Sequence, residues 1–199
     1  MEQGLFRGFK VGVLLAAVFL LSACSPKLDW RTVQSPQERY TALFPGKPDK
    51  LQRRIPYQEQ ELNQTLEAVK VDDDIYSIST IQVPVHQAGA TPNITAQLKT
   101  NLLERATASG GSVMDEATTY QTNDRQRLPT TDYFITFESK GGAQQQMRVR
   151  WITRQASNGD AWIYQVSVLH THANVNPNAT KVFLSQEESE NFFSEFHPE

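Results

Sequence analysis

The sequence predicts an α+β fold, an antiparallel sheet of about six strands flanked by helices. Three observations carry that expectation. The segments DYFITFES, QMRVRWIT and DAWIYQVSVLH follow one another in the second half of the chain, and each alternates apolar and polar residues. A period of two marks a strand with one face buried. In TPNITAQLKTNLLERATASGG, by contrast, Ile94, Leu98, Leu102 and Ala106 recur every fourth position, the spacing of one helix face. Near the end, Phe192, Phe193 and Phe196 give a short helix a strongly apolar side.

Taken in order, the chain opens with MEQGLFRGFK, which carries Arg7 and Lys10 against Glu2. An uninterrupted apolar run from Val11 to Leu21 follows. It suits the hydrophobic region of a signal peptide and falls short of the ~20 residues that span a bilayer. Ser22, Ala23 and Cys24 come next, and Cys24 is the only cysteine of the chain. The stretch Leu21-Ser22-Ala23-Cys24 resembles the bacterial lipobox. That resemblance implies a signal peptide over residues 1–23, a diacylglyceryl group on the Cys24 thiol, cleavage before it and acylation of the new amino terminus. At ~0.8 kcal/mol per buried methylene, two or more acyl chains make a lasting anchor in the lipid bilayer. By the same resemblance Ser25, where aspartate would favour the inner membrane, implies the inner leaflet of the outer membrane, facing the periplasm. With Cys24 lipidated, no thiol remains for a disulfide, and stability must come from the core.

Residues 24–36 then read as the lipidated cysteine and a short tether, and residues 37–199 as a single α+β domain. The twelve residues SPKLDWRTVQSP reach at most ~40 Å when extended. Cleavage removes two of the 19 Lys and Arg and one of the 22 Asp and Glu, so 176 residues with a balance near −4 remain. A mildly acidic chain without a basic run is a poor fit to nucleic acid and to electrostatic reading of a membrane surface.

Within the domain, Tyr40, Ala42 and Phe44 alternate as a strand, and FPGKP turns the chain, since two prolines around a glycine cannot extend a ladder. LEAVKV and IYSISTIQVP are strands, and Asp72-Asp73-Asp74 is the hairpin turn between them. Thr91 is placed to cap the long helix, with Pro92 at its first position and Gly110-Gly111 at its end. In the three alternating strands the inward residues are expected to be Tyr133, Ile135 and Phe137; Met147, Val149 and Trp151; and Trp162, Tyr164, Val166 and Val168. KGGAQ and ASNGD supply the turns. Ser185 and Glu188 fit a capping box for the closing helix, and the helices are expected on one face of the sheet.

This order resembles the PsbP-like fold. The carrying residues are Tyr40, Phe44-Pro45-Gly46-Lys47-Pro48 and Phe192-Phe193-Ser194-Glu195-Phe196. The resemblance implies a binding or assembly module and no shared catalytic site; a fold alone does not supply a function.

Few residues suggest chemistry. His170 and His172 lie two apart in LHTHA, so on a strand they share a face. They are weak candidates for a metal site, which needs three or four ligands, and His86 could be a third only if the fold brings it close. Asp72-Asp73-Asp74 lacks the spaced oxygens and glycine of a calcium loop. No Walker loop, H-E-x-x-H, G-x-G-x-x-G or G-x-S-x-G occurs. Arg148, Arg150 and Arg154 are expected on or just past the solvated outer face of the sheet, where they could meet an acidic partner. No cofactor is expected. The sequence thus points to a non-catalytic binding or assembly lipoprotein with an envelope protein partner. The alternative is a carrier or sensor of a small apolar ligand held between sheet and helices, with the Phe192, Phe193 and Phe196 side chains lining its pocket. An enzyme ranks last.

Overall fold

A computed structural model describes residues 28–58, 60–138, 144–173 and 180–199. Cys24 and the whole signal-peptide reading lie outside the described residues. Along the chain run β1 (Arg31–Ser35), β2 (Tyr40–Phe44), β3 (Asp49–Tyr57), β4 (Gln60–Val71) and β5 (Asp74–Val83). A 3-10 turn, Val85–Ala90, leads into helix α1 (Thr91–Ala108). Then come β6 (Val113–Gln121), β7 (Arg127–Phe137), β8 (Gln144–Gln155), β9 (Ala161–Ala173), α2 (Thr180–Phe183), α3 (Glu187–Ser194) and β10 (His197–Pro198). The protein is α+β. A seven-stranded sheet, in the order β3-β4-β5-β9-β8-β7-β6, is antiparallel throughout. A small three-stranded sheet, β1-β2-β10, lies apart from it.

Both faces of the large sheet are covered, which corrects the expectation of helices on one face and solvent on the other. The strand register shows how. Tyr164 pairs with Ile152, Val166 with Arg150 and Val168 with Arg148, so the expected inward residues of β8 and β9 stand on opposite faces. Met147, Val149 and Trp151 join Ile135 beneath Leu102 and Ala106 of α1. Ile94 extends that layer over Ile81, Val83 and Ile163. On the other face Tyr76, Ile78, Phe134, Ile152, Tyr164, Val166 and Val168 pack against the small sheet and α3. Each layer buries a continuous apolar surface, and at ~25 cal/mol per Å² such burial is the main favourable contribution to folding.

Local chemistry explains the element ends. Val71 pairs with Asp74 across the turn Asp72-Asp73, with Asp72 in the left-handed region (φ 52°); a short acidic side chain tolerates that conformation. Helix α1 ends in a Schellman motif. Gly110 (φ 87°) donates its backbone N–H to the Thr107 carbonyl and Gly111 donates to Ala106. Thr91 does not cap α1: Ala90 is the N-cap residue, Pro92 falls within the first turn, and the Thr91 hydroxyl is buried without a hydrogen-bond partner. Nor does the proposed box cap α3, which starts after Gln186 with no side-chain cap.

Residues 31–35, read from sequence as tether, form β1 and pair with β2 in full register, Arg31 opposite Phe44 and Ser35 opposite Tyr40. The folded body therefore begins ahead of residue 37. Among the described residues no helix is long and apolar enough to cross a membrane.

Candidate functional site: a polar cavity at the open end of the sheet

The small sheet and α3 cover the face of the large sheet that carries Tyr164 and Val166 only in part. Successive rows across the strands can be read from the register. One row runs Lys50, Glu67, Ile78, Val166, Arg150, Asp132. The next runs Gln52, Thr65, Thr80, Tyr164, Ile152, and the one after it Arg54, Asn63, Gln82, Trp162, Arg154. The β3-β4-β5-β9 ends of these last two rows floor a cavity of about 540 Å³, and Gln37 and Glu38 from the β1–β2 turn form part of its wall. That volume lies within the roughly 300–1,000 Å³ of small-molecule sites.

Why the turn stands there follows from a buried polar cluster behind it. The Tyr164 hydroxyl lies 3.0 Å from the carbonyl oxygens of both Glu38 and Arg39, which fixes the turn despite the left-handed Arg39 (φ 59°). Ser35 Oγ is 2.9 Å from Glu38 Oε2 and 3.0 Å from Glu67 Oε1; its one proton serves one carboxylate at a time. The Tyr40 hydroxyl donates to Glu67. Lys50 Nζ closes the cluster at 2.8 Å from Glu38 and 3.3 Å from Glu67. Burial raises the Glu38 pKa, but hydrogen bonds from Lys50, Ser35 and Thr65 outweigh it and hold the carboxyl below its ordinary value of 4.5. Lys50 mirrors this: burial lowers its pKa, and the two carboxylates raise it above 10.5. Burial, and then the hydrogen bond to Glu67, push the Tyr40 phenol far up, so it stays protonated as a donor.

Two polar atoms of cavity-lining residues are buried out of reach of solvent. Thr80 and Trp162 both line the cavity. Thr80 is 2% exposed and Trp162 8%, and neither Thr80 Oγ1 nor Trp162 Nε1 has a hydrogen-bond partner among the described residues. A buried polar atom left unpaired costs about 1–3 kcal/mol, and both atoms are closed off from solvent. Gln82, between them and the rim, donates to Asp160 at 3.1 Å. That bond, ahead of opposing burial, and further bonds from the Val85 N–H and Asn158 depress the Asp160 pKa. Arg54 pairs with Glu61 at 3.3 Å.

The arginines singled out from sequence lie elsewhere. Arg148 and Arg150 are 4% and 3% exposed, so the expectation of a solvated outer face is corrected. Both guanidiniums converge on Asp132, itself 2% exposed. Arg150 donates through Nε at 2.6 Å and Nη2 at 2.9 Å, and Arg148 through Nη2 at 2.7 Å. Arg148 also reaches Glu190 at 2.7 Å and the Leu184 carbonyl at 3.2 Å, and Arg150 the Phe193 carbonyl at 3.2 Å. Phe193 lies under both cations, 4.2 and 5.1 Å from its ring centre. These residues clamp α2 and α3 to the sheet and present no surface to a partner. Arg154 is half-buried and donates to the backbone oxygen of Glu199 at 3.3 Å.

His170 Nδ1 lies 2.7 Å from Asp74, and its ring packs edge-on against Phe183 at 4.6 Å. The His172 side chain lies outside the described residues. His86 follows the far end of β5, whereas His170 pairs with Asp74 at its start; ten residues of strand separate the two ends by roughly 30 Å, so His86 is no third ligand. Among the described residues no three His, Cys, Asp or Glu side chains are grouped to hold a metal ion. Phe192, Phe193 and Phe196, expected to line an apolar ligand site, pack instead among Phe44, Tyr76, Tyr40 and Tyr164 with ring centres 5.3–5.8 Å apart.

Sequence reasoning missed the cavity because its residues are threonines, carboxamides, one tryptophan and the charged Glu38, Arg53 and Arg54, with no spacing of their own. Only the register brings positions 52, 63, 65, 80, 82 and 162 together. No family profile matches the chain, and no curated protein is significantly similar to it.

Proposed function

We propose that this chain is a membrane-anchored envelope lipoprotein that acts as a non-catalytic binding module, with the polar cavity over β3, β4, β5 and β9 as its recognition site. The anchor rests on Leu21-Ser22-Ala23-Cys24 behind an apolar run flanked by Arg7 and Lys10, and Ser25 favours the inner leaflet of the outer membrane. The observation that carries the binding reading is a cavity of about 540 Å³ lined by the polar residues Gln52, Asn63, Thr65, Thr80 and Gln82, large enough for a ligand. An antiparallel sheet with the FPGKP turn and the closing FFSEF helix supports a PsbP-like assignment, whose resemblance points the same way. With β1 beginning at Arg31, six residues separate Cys24 from the first strand, a reach of at most about 25 Å when extended, so the domain works close to its membrane.

Crosslinking from intact cells tests this, with the lipidated chain as bait and Cys24→Ser as control. A partner captured only by the lipidated form supports the reading. A Cys24→Ser chain that still sediments with membranes after a high-salt wash would sink the anchor assignment.

A further inference from the structure

Besides its outer edges, β3 and β6, the large sheet has a stretch of open edge inside it. β7 pairs with β8 only from Asp132 opposite Arg150 to Phe137 opposite Gln145, whereas β8 runs on to Gln155. Between Thr131 and Arg127, β7 stays with β6 and leaves β8. The departing hairpin is held by the small sheet instead: Asn123 donates its backbone N–H to the Pro198 carbonyl at 2.9 Å, and His197 Nδ1 lies 3.2 Å from the Gln121 carbonyl oxygen. Trp151 turns its carbonyl toward β7, where the Thr130 hydroxyl donates to it at 3.3 Å. Backbone groups two residues apart point to the same edge of a strand, so those of Thr153 and Gln155 face the gap. Among the described residues no strand pairs with them on that side, and both residues are exposed. On the α1 side of this stretch lies a groove of about 700 Å³, bounded by Pro92, Thr95, Ala96 and Lys99 of α1 and by Thr153 and Gln155. These two share the face of Met147, Val149 and Trp151, so the groove is on the opposite side of the sheet from the polar cavity and independent of it. Lys99 is the one charged side chain lining it. It donates to the Tyr133 hydroxyl and lies 4.3 Å from that ring's centre, with no carboxylate beside it among the described residues. Tyr133 pairs with Val149, next to the last β7–β8 pair, so the ammonium stands where the gap begins. A row of bare backbone donors and acceptors takes an extended chain, main chain to main chain, with alternate side chains entering the space beside it. An ammonium without a counter-charge at the end of that row selects a carboxylate. We infer that β8 accepts a short extended segment of a partner protein as an added strand along Trp151–Gln155, and that an Asp or Glu of that segment pairs with Lys99. The charges on β3 and β6 discourage such addition at the outer edges, whereas Thr153 and Gln155 carry none.

The test pans a phage-displayed library of random seven-residue peptides on the full chain in a non-ionic detergent, then titrates the synthesised winners by calorimetry. Selected peptides should carry β-branched residues and one Asp or Glu at a fixed place. Methylating their backbone nitrogens one at a time should weaken binding about tenfold or more at every second residue and little in between, a period that only an added strand produces. Panning on Lys99→Glu should select Lys or Arg in place of the acidic residue. Ala96→Phe, at an exposed position of α1, fills the groove without touching the core and should abolish binding while the chain melts as the parent does. Several results would overturn the inference: no peptide selected, N-methylation without that period, or winners that bind Lys99→Glu and Ala96→Phe as tightly as the parent. So would sedimentation that finds the parent dimeric and Ala96→Phe monomeric, since the edge would then belong to a second copy of this chain. A chain that selects no peptide but still captures a partner in the crosslinking experiment would overturn this assignment alone and leave the binding-module reading in place.

Discussion

At the scale of single residues, Asp132 holds the most exposed balance of forces. It is the one carboxylate shared by the buried Arg148 and Arg150, and Glu190, a second anionic contact of Arg148, reaches in from the surface. Taking one member from a buried ion cluster leaves charge without compensation, which costs about 3–5 kcal/mol. Asp132→Asn is therefore expected to lower stability by that amount in urea denaturation, whereas Arg154→Ala should change it by less than about 1 kcal/mol. The contrast shows what the sequence could and could not convey. Alternation correctly placed Arg148 and Arg150 opposite Met147 and Val149. It could not show that the opposite face is covered too, because period two says which residues share a side and not what lies beyond it. A second prediction concerns acid. Glu38 is held below its ordinary 4.5 in the folded chain, so its ionised form favours folding. That contribution is fully present above pH 4.5 and is lost as pH falls through the depressed value. Glu38→Gln should lose less stability than the parent chain between about pH 5 and pH 3, measured as the shift in thermal midpoint.

At the scale of elements, the join between α1 and β7 is the tightest. A Cβ on Gly111 would sit 1.8 Å from the Thr136 carbonyl oxygen, and backbone cannot swing aside as a side chain can. Gly111→Ala is expected to cost about 3 kcal/mol. Gly46→Ala, which meets only the tip of Val69 at 3.1 Å, should cost well under half of that; chemical denaturation of both variants checks the pair. The central elements were legible because their burial leaves a period: α1 by its i, i+4 stripe, β7 to β9 by alternation, the β4–β5 hairpin by its three aspartates. The edge strands were not. β3 reads DKLQRRIPY and β6 reads VMDEATTYQ, and both are largely exposed. An edge strand carries charges that discourage pairing with other chains, and those same charges erase the apolar signal. β1, RTVQS, was lost among tether residues for the same reason.

At the scale of the whole molecule, the large sheet is two meanders, β3-β4-β5 and β6-β7-β8-β9, joined along one seam between β5 and β9. Asp74 to Val83 pair there with His170 to Ala161 without a break. Amide exchange should be slowest at this seam, which both faces bury, and fastest at β3 and β6; hydrogen-exchange mass spectrometry reads the order directly. A seam as labile as the edges would show the meanders to open independently. The cavity lies on the first meander and borrows Trp162 from the second, so its floor is complete only when the seam has closed.

The seam also dictates the order in which the chain can finish. β5 is made early, and its pairing strand arrives only after residues 84–160. Until then the first meander holds an open, β-rich edge with Tyr76, Ile78 and Ile81 bare on either side. Such an edge is a template for the wrong neighbour. A ribosome or translocon that stalls anywhere before Ala161 would release a sticky half-sheet, so the yield of this protein should depend on uninterrupted delivery more than on the stability of the finished fold.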